Sequence, residues 1–243
     1  YRIDSLQHVI HGAVPTPIQI KHQILDWWGP VVFEYYGSSE VGATIVSPQD
    51  WLKKPGTVGR PISITELQIL DDDGNQVPSG TSGWIYMKQG EVDFQYHGDP
   101  EKTAKVRKGK FICVGDIGFV DTEGYLFLSG RDAEIIISGG VNIYPAAIEG
   151  DLLSHPAVRD VAIIGVPDEE FGEQVKGVVV LRHGFDSNER VASDLIEYCR
   201  KRHSHFSCPR TIDFVSSLPR DPTGKLYKKR IRDPYWTDLN RSI

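Results

Sequence analysis

The sequence predicts a mixed α/β and α+β protein in two parts. Three observations carry this reading. A helix–strand pair stands near the start, an all-β middle runs from Gly59 to Gly130, and strands then alternate with helices to the end. The change of texture near Arg131 divides the chain into residues 1–130 and a compact α+β domain of residues 131–243. Of the 243 residues 40% are hydrophobic and 25% charged, with 24 glycines and 15 prolines. That is material for a sizeable core with many turns and few long helices.

Taken in order, Thr16-Pro17-Ile18-Gln19 reads as a helix start: Thr16 caps, Pro17 suits the first turn and Gln19 completes a capping box. Gly29-Pro30 stops this helix near Trp28, and Trp27 and Trp28 read as core packing. VVFEYY (residues 31–36) is a strand emptying into GSSE, a common setting for a ligand site in an α/β sheet. From Gly59 onward ITELQILD alternates and ends in the turn DDDGN; GWIYMK, FICVGD and the hairpin GFVDTEGYLFLSG follow. EKTAKVRKG is the one helix expected there, and the whole reads as a small, mostly antiparallel, β-barrel-like subdomain. EIII and SGGVNIYP come next, then a helix from Pro145 to about Ser154 and the strands VRDVAIIGV and QVKGVVVLR. A helix from about Asn188 to His203, the strand TIDFVSSL and a short basic helix after Lys225 complete the pattern.

No apolar run approaches the roughly 18 residues of a membrane span, and YRIDSLQHVI lacks a signal-peptide layout. Without an initiator methionine the chain is read as starting inside a longer protein, and DPYWTDLNRSI as a natural end. Three cysteines (Cys113, Cys199, Cys208) with no CxxC spacing fit a reducing, cytoplasmic setting. HSHFSC (residues 203–208) has metal-capable side chains, but structural zinc wants four ligands and no second cluster supplies them. The formal net charge of -6 hides an asymmetry: ten lysines and arginines lie between Arg200 and Arg232 against Asp213 and Asp221. Such a patch suits an anionic ligand. Nucleic acid is disfavoured, because the stretch has no interleaved aromatic platform and the whole chain is acidic.

Four stretches look chemical, and each has a plainer explanation when taken alone. In YYGSSE (residues 35–40), backbone amides around Gly37, the hydroxyls of Ser38 and Ser39 and the Glu40 carboxylate could hold a phosphate and its magnesium; a polar turn explains the same residues. A serine-hydrolase elbow is disfavoured because G-x-S-x-G is not present. In CVGDIGFVD, Asp116 between glycines could accept bonds from a ribose diol, or could simply sit in a tight β-turn. In SGRDAEIIISGGVNIYP, Arg131 begins a domain junction, and Gly139 and Gly140 leave a backbone that another molecule can approach; a linker with a glycine turn explains the same residues. In SLPRDPTGKLYKKRIR, Lys225 follows a Pro-Thr-Gly turn; a solvated basic tail is the alternative.

Their joint order is specific. HGAVPTP, YYGSSE, PGTVGRP, GDIG, GRDAEIIISGGVNIYPAAIE and PRDPTGKLYKKRIR resemble, in sequence order, motifs of the adenylate-forming (AMP-binding) superfamily, and within it the acyl-CoA synthetases or fatty-acid–CoA ligases. The resemblance implies the end of a large N-terminal adenylate-forming domain followed by a small mobile C-terminal one. It implies ATP-dependent conversion of a carboxylic acid to an acyl-adenylate, with transfer to coenzyme A, releasing AMP and requiring Mg2+. By motif position, Lys225 would bridge the carboxylate and α-phosphate oxygens, and Asp116 and Arg131 would hold the ribose. Ser39 would contact phosphate, Glu40 would bind magnesium, and Gly37 and Ser38 would belong to the same nucleotide loop. Gly12, Ala13 and Tyr36 would line the adenine and acyl pocket, while Gly139 and Gly140 would border the pantetheine channel.

Two departures qualify this. The family's hinge position, often Asp or Lys, is Ala133 here, with Asp132 beside it. The family's Ser/Thr/Gly-rich phosphate loop has no counterpart, so the resemblance is to the C-terminal half, and these residues alone would not turn over ATP. An adenylation domain loading a carrier protein, or a non-catalytic nucleotide- or CoA-binding module, remain the alternative readings.

Overall fold

The computed structural model describes residues 3, 5–13, 16–222 and 224–237. Val14 and Pro15 of HGAVPTP, Thr223 of the lysine loop and the last six residues lie outside them. The chain forms two compact units, Tyr1–Asp132 and Ala133–Ile243.

In the first unit β1 (Val9–His11) runs parallel to β2 (Val32–Ser38), joined through α1 (Ile18–Trp28). β3 (Gly42–Val46) returns antiparallel, α2 (Pro48–Lys53) follows, and β4 (Thr57–Pro61) pairs with β3. Then come β5 (Thr65–Leu70), β6 (Gly83–Gln89), α3 (Pro100–Val106), β7 (Arg107–Lys108), β8 (Phe111–Ile112), β9 (Asp116–Val120) and β10 (Leu126–Arg131). The strand order is β1-β2-β3-β4-β10-β9-β6-β8-β7, with β5 on β6. This is an open sheet, not a closed barrel: β7 and β8 are two residues each, too short to carry a ladder round to β1. Leu25, Val32, Val46 and Trp51 form the core under α1 and α2, while Val41, Val58, Ile69, Ile85, Met87, Ile112 and Leu126 form that of the β-rich part.

Local chemistry differs from expectation at three points. Pro17, not Thr16, occupies the cap position of α1 and no side chain caps it; the Thr16 hydroxyl instead lies 3.4 Å from His11 Nδ1. The helix α2 was not foreseen, yet Ser47 caps it by accepting the Asp50 amide at 3.1 Å, with Pro48 in its first turn. Trp27 is 71% exposed, because α1 turns Leu25 and the partly buried Ile24 and Trp28 toward the core.

The second unit comprises β11 (Ile136–Ser138), β12 (Val141–Ile143), α4 (Pro145–Leu153), β13 (Val158–Asp168), β14 (Gly172–Leu181), α5 (Glu189–Arg200), β15 (Thr211–Phe214) and α6 (Lys228–Trp236). Its sheet order is β12-β11-β14-β13, with β15 parallel on β14. The long β13–β14 pair is buried on both faces. Val161, Ile163, Val175 and Val179 face the core of α4 and α5, and the intervening Ala162, Ile164, Val178 and Val180 face Leu218, Leu226 and Ile231. Two-sided burial is why VAIIGV and GVVVL read as unbroken apolar runs. Arg131 pairs with Asp116 in the β9–β10 ladder and so belongs to the first unit, which puts the division after Asp132.

Candidate functional site

Nine candidate residues lie in the first unit. Gly37 and Ser38 end β2, and the turn into β3 presents Ser39 and Glu40. A Cβ at Gly37 would stand 2.2 Å from the Gly42 carbonyl oxygen, so the hairpin closes this tightly only with glycine there. The Glu40 amide donates to Ser38 Oγ at 3.3 Å, and Ser39 Oγ donates to Glu40 Oε2 at 3.2 Å. The Ser38 hydroxyl above all, helped by Ser39 and the Lys102 charge, holds Glu40 below the usual carboxylate range against a smaller opposing effect of burial. A single, partly exposed, ionised carboxylate fits Mg2+, which keeps waters and binds through one or two carboxylates plus phosphate oxygens. Among the described residues no cluster of three or more His, Cys, Asp or Glu offers a dedicated metal cage.

Asp116, Arg131 and Tyr36 meet. Asp116, 4% exposed, opens β9 directly opposite Arg131 at the end of β10. Arg131 Nε donates to Asp116 Oδ1 and the Tyr36 hydroxyl to Asp116 Oδ2, each at 2.7 Å. A carboxylate has about four acceptor positions, so these two bonds leave capacity for two hydroxyls. Burial, and then the Asp116 charge, push the Tyr36 phenol far above its ordinary value, which keeps it a neutral donor.

Gly12 and Ala13 follow β1. A Cβ at Gly12 would lie 2.7 Å from the Tyr35 carbonyl oxygen, and Ala13 is the one non-glycine with positive φ (70°) among the described residues. Left-handed backbone at alanine costs about 1–2 kcal/mol, and such strain clusters at ligand sites. Beneath this loop lies a group that sequence reasoning missed. Lys21, wholly buried, lies 2.5 Å from Glu34 Oε2, and His11 Nε2 lies 3.7 Å from the same oxygen. Burial, then the Lys21 charge, lower the His11 pKa to about 4. The signal was present: Glu34 shares the buried face of β2 with Val32, and Lys21 lies four residues before buried Leu25 on α1.

Three candidates lie in the second unit. Gly139 and Gly140 form the two-residue loop between β11 and β12, with φ of 56° and 79°. That is the pattern a tight hairpin requires. The Gly139 amide donates to the Phe171 carbonyl at 2.9 Å, and a Cβ there would meet the Phe171 ring at 2.9 Å; a Cβ at Gly140 would have no described atom within 4 Å. Lys225 is exposed on a turn closed from both ends. Its amide donates to Asp221 Oδ1 at 3.0 Å, its carbonyl accepts the Asp221 amide at 3.0 Å, and the Gly224 amide donates to the Asp221 carbonyl at 2.9 Å.

With this geometry in hand, comparison with known proteins is specific. Residues 1–96 match the family described as AMP-binding enzyme, and residues 147–225 match the AMP-binding enzyme C-terminal domain. The chain belongs to the AMP-binding enzyme family. The human mitochondrial acyl-coenzyme A synthetase ACSM4 is 33% identical over 243 residues, covering 97% of this chain and 42% of that protein. The fatty acid–[acyl-carrier-protein] ligase ScoC of Streptomyces coeruleorubidus is 30% identical, covering 98% of this chain and 46% of ScoC. Among solved structures, the amide bond synthetase McbA from Marinactinospora thermotolerans is 32% identical with a TM-score of 0.85, over 94% of this chain and 47% of McbA. The chain thus spans less than half the length of these relatives. The matched segments contain Gly12 through Glu40 and Lys225; Asp116, Arg131, Gly139 and Gly140 lie between them. No helix among the described residues is long and apolar enough to cross a membrane.

Proposed function

We propose that these residues are the C-terminal half of an AMP-forming acid–thiol ligase that activates a carboxylic acid, fatty or related, and transfers it to coenzyme A. The Lys225 turn carries this reading: an exposed ammonium on a backbone closed by Asp221 suits a charge-stabilising role better than a solvated tail does. A carboxylate oxygen attacks the α-phosphorus of ATP, the bond from that phosphorus to the bridging oxygen breaks, and pyrophosphate leaves. The thiol sulfur then attacks the acyl carbon and AMP departs. Lys225 neutralises charge gathering on the α-phosphate in the first step. Asp116 accepts the ribose hydroxyls while Tyr36 and Arg131 fix its carboxylate, and Gly12 and Ala13 border the adenine and acyl group. Ser39, with Gly37 and Ser38, contacts phosphate, and Glu40 would hold Mg2+, which when bound neutralises phosphate charge. Gly139 and Gly140 flank the thiol path.

ScoC is named for a carrier protein, so the acceptor is the finer part of the proposal. The resemblance of GGVNIYPAAIE to stand-alone CoA ligases favours coenzyme A. Three free, buried cysteines support a reducing compartment such as the cytoplasm.

The test separates the half-reactions in the full-length enzyme. Lys225→Ala is expected to slow adenylation on the order of 10²–10³-fold while still converting supplied acyl-adenylate to acyl-CoA. Gly140→Leu is expected to do the reverse. Equal loss of both steps in Lys225→Ala rejects the assignment.

A further inference from the structure

The turn bearing Lys225 is tied to the second unit by ion pairs on both sides. Before it, Arg220 Nε and Nη2 donate to the two Asp160 carboxylate oxygens on β13 at 2.9 and 2.7 Å, and Nη1 donates to the Gly224 carbonyl at 2.6 Å. After it, Lys228 begins α6 with its side chain 13% exposed; its Nζ lies 2.6 Å from Glu134 Oε2 and 2.9 Å from Glu149 Oε1. Glu149 Oε1 also accepts the Ile163 amide at 2.7 Å, anchoring α4 to β13. Between the two cations, Leu226 packs on the β13–β14 pair. Burial pulls Lys228 down, but the Glu149 and Glu134 charges outweigh it and keep the ammonium charged above its ordinary value.

The Asp221 bonds described above join residues of the turn to one another, whereas the Arg220 and Lys228 pairs join it to β13, α4 and Glu134. The Lys228 pairs are largely removed from water, where an ion pair adds little net stability compared with an apolar replacement yet has direction. Arg220 is more exposed but grips both Asp160 oxygens, which fixes its direction too. Glu134 also stands at the entry of the chain into the second unit. We propose that Arg220 and Lys228 are positioning residues for Lys225. They lock its turn to β13, α4 and the first residues after Asp132, so that any movement of the second unit carries the lysine rigidly. This rests on the proposed adenylation role of Lys225. A misplacement of about 1 Å in such a group can cost on the order of 10²-fold in rate.

In the full-length enzyme, Lys228→Met and Arg220→Met are each expected to lower the rate of adenylate formation by about 10-fold or more, with KM for ATP little changed. Thioester formation from supplied acyl-adenylate should stay within about threefold of the parent, and Lys228→Arg should recover most of the lost adenylation. Equal loss in both half-reactions, or unimpaired adenylation in a folded Lys228→Met enzyme, overturns the proposal. Should Lys228→Met not fold, Glu134→Gln decides by the same criterion. Lys225→Ala is assayed alongside. If it retains adenylation, the functional reading itself is wrong; if it alone loses adenylation, only the brace is wrong.

Discussion

Asp116 in the first unit receives Tyr36 from 80 residues upstream and Arg131 from 15 residues downstream, whereas the Lys225 amide in the second is held by Asp221 only four residues before it. Asp116 is buried and Lys225 exposed. A site gathered through sheet register shares its hydrogen bonds with the fold, so damage to it spreads into stability. A site built on a local turn can lose its side chain and leave the fold intact.

The largest expected effect tests that difference directly. Asp116→Ala should destabilise the first unit by about 2–3 kcal/mol, because the part-buried Tyr36 hydroxyl loses its carboxylate acceptor and the more exposed Arg131 loses one of its bonds. It should also weaken AMP binding. Lys225→Ala should shift stability by less than about 0.5 kcal/mol. Chemical denaturation of both variants, with AMP titration, checks this, and equal destabilisation would erase the distinction.

A smaller effect separates the two hairpin glycines. Gly139→Ala is expected to cost about 1–2 kcal/mol more than Gly140→Ala, since both positions have positive φ but only the first faces the Phe171 ring. Thermal unfolding of the pair reads the difference, and indistinguishable midpoints would show that the ring yields.

A pH slope in the first unit gives a separate test. With its pKa lowered to about 4 in the folded chain, His11 binds a proton more readily when unfolded. Stability is therefore fully present above about pH 6.5 and falls as pH drops from there toward 4. His11→Gln should flatten that part of the melting-temperature profile; an unchanged slope would assign it to other groups.

Much of the architecture was legible because it is local. β13 and β14 announce themselves as apolar runs and the stop of α1 as Gly29, whereas Gly139 and Gly140 read only as an approachable glycine pair or a turn, and the pairing of β11 with β12 makes them a hairpin loop. α2 is equally legible in Ser47-Pro48-Gln49-Asp50, a cap followed by a first-turn proline. Thr16 misled because a threonine able to cap a helix can equally turn to an imidazole, a choice made by the neighbouring strand.

The sequence by itself determined the family resemblance, the order of its motifs, most elements and the turn that holds Lys225, since these depend on residues a few positions apart. The tertiary structure alone decided that the middle sheet stays open, that Tyr36 and Arg131 share one carboxylate, that Lys21 and Glu34 are buried together, and that Lys228 reaches both Glu134 and Glu149. Each of these joins residues remote along the chain. Strand register and packing bring such residues together, and the short-range periods of a sequence do not encode which partner each will meet.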